Sequence, residues 1–172
     1  MKYDPRLLDK PNYPVVRVME TMFSDMDIHK HVNNVAIARF FEEGRAALQR
    51  AIRKQCPGEF AEVVLAGFEV HYLREVSYPG PVEVAIGTGR VGTSSFDSVA
   101  ALFQDGECAA LSWATDTRRN ADHTASQPLT GREREALAAV TVNGAIGGTA
   151  AAPRRSAAAA PRRSAGRREL AG

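Results

Sequence analysis

Cysteine is scarce in this chain. Only Cys56 and Cys108 occur among 172 residues, far apart and in no C-x-x-C pair. That excludes a disulfide framework or a zinc knuckle and suits a reducing compartment. Long apolar runs are missing too. The opening MKYDPRLLDKPNYP is charged and punctuated by proline, unlike a signal peptide or anchor. No later segment approaches the length that spans a bilayer. P-loop and dinucleotide fingerprints are absent, so nucleotide-driven chemistry is not indicated. The expectation is a soluble, cytoplasmic protein, long enough to close one core without covalent staples.

Charge is unevenly spread. The net charge is +2, yet residues 151–172 hold six arginines and one acid, Glu169, for +5. The other 150 residues hold 16 basic and 19 acidic side chains, for −3, so the body is mildly acidic. From Val142 onward the composition narrows to small residues, proline and arginine, with APRRSAAA at 152–159 followed by APRRSAG. Without large apolar side chains to offset the entropy of ordering, residues 142–172 are expected to be a disordered tail. Arginine pairs can touch an acidic surface or nucleic acid by charge alone. No aromatics are interleaved for stacking, so a solvated appendix is the preferred reading and nucleic acid is not the expected partner.

Between an extended arm at 1–14 and that tail, residues 15–141 read as one domain. Residues 15–23 are β-branched and apolar, as in a strand. Asn33 or Asn34 is a suitable helix cap. No proline and a single glycine, Gly44, intervene before about residue 54, and Pro57-Gly58 ends the helix. At ~100° per residue, Ile37, Phe41, Leu48 and Ile52 share a stripe that Ala36, Phe40, Ala47 and Ala51 widen. So broad an apolar face belongs against a sheet. Four further strands follow, around residues 64–72, 82–87, 96–103 and 107–116. The last two are joined by Asp105-Gly106, a favoured hairpin dipeptide. Thr130-x-x-Glu133 is a capping box for a short second helix. The pattern is α+β: a five-stranded antiparallel sheet wrapped around a central helix. Its exposed sheet edges predict a homo-oligomer, a dimer or tetramer.

Chemistry concentrates in SDMDIHKHVNN, residues 24–34, just ahead of the long helix. A strand, then D-x-D-x-x-x-H-V-N-N, then a helix bearing E-E-x-R resembles the hotdog-fold acyl-thioesterases. The 4-hydroxybenzoyl-CoA thioesterase-like group and the plant acyl-ACP thioesterases look nearest. The match uses Asp25, Asp27, His31, Val32, Asn33, Asn34, Arg39, Glu42, Glu43 and Arg45, and extends to His71–Val76 and Gly92–Phe96. It covers residues 14–140. Lys30 and Ile37 depart from the small residue and the aromatic usual at those places, and His29 stands where the plant enzymes tend to carry asparagine. The resemblance implies hydrolysis of an acyl- or aryl-thioester of CoA or a carrier protein, with no metal and no cofactor.

Thioester hydrolysis needs an activated water or a carboxylate nucleophile, and donors aimed at the carbonyl oxygen. A helix N-terminus offers unpaired N–H groups there. Asp27, on the preceding loop, is the candidate base or nucleophile, and the resemblance assigns a working acid to the same position. His31 can bond the carbonyl or orient Asp27. Asn33 can cap the helix, assist the carbonyl, or both. Asn34 and Val35 carry the first helix amides. Glu42 and Glu43 lie on opposite borders of the apolar arc; the resemblance to the plant enzymes favours Glu43 as the helix acid, that to some bacterial ones favours Glu42, and Glu43 is taken as the candidate. Arg74 and the Ser94–Ser95 turn are expected to bind substrate where the resemblance places CoA contacts. Alternation of Asp25, Asp27, His29 and His31 would suit a divalent ion only if the loop were extended, and the spacing is not a known zinc frame. A hydratase or dehydratase acting on enoyl-CoA, and a non-catalytic acyl-CoA-binding protein, are the rival readings.

Overall fold

The computed structural model describes residues 3–143. Helix α1 runs over Asn34–Gln55. It starts where Asn33 Oδ1 accepts the Ala36 N–H at 2.8 Å and stops at Cys56, before Pro57-Gly58. Phe40, Phe41, Leu48 and Ile52 on its apolar stripe are fully buried. Gly44 explains itself by contact: a Cβ there would lie 2.5 Å from Val84 Cγ1, so the glycine lets the helix approach the sheet.

The strands are β1 (Val15–Glu20), β2 (Val63–Tyr72), β3 (Pro81–Val91), β4 (Ser95–Gln104) and β5 (Glu107–Arg118). Their order in the sheet is β1-β3-β4-β5-β2, with every pairing antiparallel. Val82, Val84, Ile86, Phe96 and Leu102 on the inner face build the main core with α1. The β4–β5 turn has φ of 52° at Asp105 and 81° at Gly106, the two positive angles of a type I′ turn. Thr130 and Glu133 form the expected capping box of α2 (Gly131–Ala138). The predicted five-stranded antiparallel sheet around a helix is therefore the architecture of the chain.

Three boundaries differ from expectation. β1 ends at Glu20; Phe23 lies instead in a 3-10 turn, Phe23–Asp25, and is 73% exposed. The N-terminal arm is not extended: it makes 3-10 turns at Pro5–Leu8 and Lys10–Asn12 and lies on the outer face of the sheet. There Tyr13 is buried with Ala85, Val99, Ala101, Phe103, Leu111 and Val142. Val142, assigned to the tail by composition, is thus core, and its N–H bonds Thr88 O at 3.0 Å. The expected disorder of the remaining tail concerns residues 144–172, which lie outside the described residues. Among the described residues no helix is long and apolar enough to cross a membrane.

Candidate active site

The loop from Asp25 to Asn33 is held by its own backbone. Asn33 N–H bonds Asp25 O at 2.8 Å, Asp27 N–H bonds His31 O at 2.9 Å, and Met26 bridges Val32. Lys30 takes a positive φ of 65° to close the turn. Val32 N–H bonds Val76 O at 2.8 Å, fixing the loop to the segment after β2. The Asp25 carboxylate is buried, takes both its oxygens to Arg39 Nη2 at 2.9 Å, and accepts the Met22 N–H. Asp25 is therefore a clasp from the loop to α1, a role that its place in the motif does not reveal.

Asp27, by contrast, faces solvent, and its Oδ1 accepts the His29 N–H at 2.8 Å. This local turn orients the carboxylate and leaves Oδ2 for other chemistry. At the helix start the Asn33 side chain takes the Ala36 amide, and the Ile37 amide bonds Asn33 O. Among the described residues no group accepts from the Asn34 or Val35 N–H. Two adjacent donors at the positive end of a 22-residue helix remain open. Ile28 and Val35, 91% and 79% exposed, are apolar neighbours of the acid and of these donors.

The other candidates are dispersed. His31 does not meet the Asp27 carboxylate; its Nε2 lies 3.0 Å from Glu75 Oε2. Glu43 is exposed and has no ion-pair partner among the described residues, whereas Glu42 pairs with Arg45 at 2.8 Å. Arg74 is taken by an ion pair with Glu107. It borders an open groove of about 550 Å³ whose other charged residues, Glu75, Asp105 and Glu107, are all acidic. That lining does not favour a phosphate. Ser95 pairs with Thr117, while Arg74 N–H bonds Ala109 O. Ser94–Ser95 and Arg74 thus sit at opposite ends of β5, roughly 26 Å apart at the usual strand rise. The two expected substrate contacts therefore do not converge on one point: Arg74 lies on the side of the Asp27 loop, since its neighbour Glu75 meets His31, and Ser94–Ser95 lie at the far end of β5. Among the described residues no group of three or more His, Cys, Asp or Glu could hold a metal ion. The turn at Lys30 and the Asp25–Arg39 pair break up the alternation such a site required.

Further along α1, Arg45 and Asp116 of β5 are both buried, and Arg45 Nε and Asp116 Oδ1 lack hydrogen-bond partners among the described residues. Burial pushes the Asp116 carboxyl above its ordinary value; Arg45 opposes this, and Glu42 and Asp97 add to it. Only the tertiary arrangement reveals this pair.

Comparison with known proteins agrees with the fold. The thioesterase superfamily model matches residues 29–108, from the loop before α1 into β5. A thioesterase of Thermus thermophilus, solved with coenzyme A and Zn, is 27% identical, with a TM-score of 0.66. The alignment covers 75% of this chain and 95% of that one. A predicted thioesterase of Bacillus stearothermophilus (23% identity, 73% and 95% coverage) and a protein of Pseudomonas aeruginosa (24%, 77% and 95%) share the fold, each at TM-score 0.66. No curated protein matches the sequence. The chain therefore resembles the thioesterase superfamily in sequence and carries its hotdog fold. Thioester hydrolysis is the general activity these likenesses support.

Proposed function

We propose that the protein hydrolyses an acyl- or aryl-CoA thioester to the free acid and CoA. The observation that carries this reading is the open pair of amides, Asn34 and Val35, at the start of α1, with the oriented Asp27 carboxylate on the loop that leads into it. Those amides hold the carbonyl oxygen as it becomes an oxyanion. Asp27 either draws a proton from water, which attacks the carbonyl carbon, or attacks that carbon itself and is then released by water. In both routes the C–S bond breaks and the thiolate leaves, taking up a proton. Exposed Ile28 and Val35 offer an apolar rest for the acyl or aryl group. The coenzyme A bound to the Thermus relative supports CoA over a carrier protein as thiol carrier.

The working unit is a dimer. β2 is a sheet edge whose Val64, Leu65, Phe68 and Tyr72 are exposed, the condition under which edges recruit a second chain. Antiparallel pairing of two β2 strands about a two-fold axis reverses one protomer against the other. The Ser94–Ser95 end of one copy then approaches the helix-start end of its partner, which gives those residues a route to the substrate that they lack in a single chain. Two unbridged thiols, Cys56 and Cys108, agree with a cytoplasmic setting.

Thiol release from short, long and aromatic CoA esters, read with a thiol reagent, tests the proposal. Wild-type turnover that Asp27→Asn abolishes supports it. Bound ester with no thiol release favours the binding-protein alternative, and loss of enoyl absorbance from crotonyl-CoA without thiol favours a hydratase.

A further inference from the structure

The convex face of the sheet is apolar, and this chain covers it with its own N-terminal segment. Ala85, Val99, Ala101, Phe103 and Leu111 make that face, with Trp113 at its margin. Residues 3–14 lie across it and are fastened at several separate points. Tyr3 Oη bonds His71 Nδ1 at 2.7 Å while His71 Nε2 meets Glu69 Oε1 at 2.5 Å. The Tyr3 ring stacks on Trp113 with centroids 6.4 Å apart. Leu7 and Leu8 pack on the apolar cluster, and Tyr13 Oη donates to Leu7 O at 2.8 Å. Lys10 pairs with Glu83 at 2.5 Å, and Asn143 N–H bonds Asn12 O at 2.7 Å. At Gly87 a Cβ would lie 2.7 Å from Pro14 and 2.8 Å from Val142, so β3 is shaped to let the strap pass.

We infer that residues 3–14 are a strap that stops self-assembly at two copies by occupying the surface on which a second dimer would dock. This rests on the β2-edge dimer proposed above. Glu69 and His71, which hold Tyr3, belong to β2 itself, so pairing two β2 strands places two strapped faces side by side on one continuous sheet. Bare, each half of that double-width face carries Ala85, Val99, Ala101, Phe103 and Leu111, apolar residues suited to packing sheet on sheet, with Glu69 and His71 along the seam between the halves. Its best complement is the same face of another dimer, related by two-fold symmetry. With the strap in place, the protein presents the strap's own polar and charged residues there instead.

The test compares the full-length chain with a Leu7→Lys/Leu8→Lys double variant and with a variant lacking residues 2–12, by light scattering coupled to gel filtration. Trp113 is the only tryptophan, so its emission reports whether the strap has left. Expected are a two-chain mass for wild type and a four-chain mass for both variants, with emission changed from wild type because Trp113 exchanges Tyr3 for the docked dimer. Adding Val99→Lys to the double variant should return it to two chains. A four-chain wild type, or variants that stay at two chains with red-shifted emission, overturns the strap inference. A one-chain wild type overturns the dimer reading on which it stands.

Discussion

Replacing Gly44 by alanine sets two effects against each other. In a helix interior alanine is favoured over glycine by about 1 kcal/mol. The new methyl would, however, lie 2.5 Å from Val84 Cγ1 and 3.4 Å from Val84 Cβ. Val84 is fully buried, paired with Leu102 on one side and Arg17 on the other. A β-branched residue in a central strand has few rotamers to retreat into. Overpacking at such sites costs about 1–3 kcal/mol, and a 2.5 Å approach belongs in the upper part of that range. Gly44→Ala should therefore lose about 1–2 kcal/mol net, a fall in Tm of roughly 3–6 °C for a domain of this size. Thermal and urea unfolding followed by circular dichroism measures it. Adding Val84→Ala should show favourable coupling of about 1 kcal/mol, because the methyl then has room. A Gly44→Ala protein as stable as wild type would mean that the close helix–sheet approach is not what places glycine here.

Asp27→Asn keeps an acceptor for the His29 N–H but removes the charge. Turnover should drop by about 100-fold or more, with stability unchanged within about 0.5 kcal/mol because the side chain is exposed; equal kcat removes Asp27 from the reaction. Glu133 is buried and bonds Arg118 at 2.9 Å, the Thr130 N–H and the Ala61 N–H. Its Ala variant should lose about 3 kcal/mol or more by stranding Arg118 and two amides. Burial alone would raise the Glu133 carboxyl, but the bonds from Thr130, Ala61 and Arg118 hold it below its ordinary value. Its contribution is thus complete above the unfolded carboxylate pKa of about 4.3 and is lost as pH falls through the lower folded one, so the wild-type advantage over Glu133→Gln should shrink on acidification. Asp116 behaves oppositely. Its raised carboxyl makes the charged form a burden as pH rises past the unfolded value. Asp116→Asn should therefore be more stable than wild type at neutral pH, with the gap closing in acid; a less stable variant at pH 7 would show that Arg45 outweighs burial.

Short-range chemistry makes much of the fold legible in the amino-acid order. Asn33 caps α1, Asp105-Gly106 closes the β4–β5 hairpin, and Thr130 with Glu133 starts α2. Each depends on bonds spanning only a few residues, so the spacing itself carries the signal. Periodicity likewise marks the buried stripe Ile37, Phe41, Leu48, Ile52, because 3.6 residues per turn turns order into a face. The candidate site is legible as a neighbourhood but not as a set of partners. Asp25 and Asp27 look equivalent two residues apart, yet one is locked to Arg39 and the other is open. His31 turns to Glu75 and Arg74 to Glu107.

What the chain's residue order determined unaided was therefore local: where the helices start, where the β4–β5 hairpin turns, which side of α1 is apolar, and where a helix start meets a cluster of acids. Which two strands became the sheet edges, that an arm of proline and charge would lie over the outer face, and that Arg45 would be buried near Asp116 were decided only in three dimensions. The physical reason is distance along the chain. Tyr3 and His71, or Arg45 and Asp116, are separated by about seventy residues, and no periodicity or spacing links them until the sheet closes around its helix.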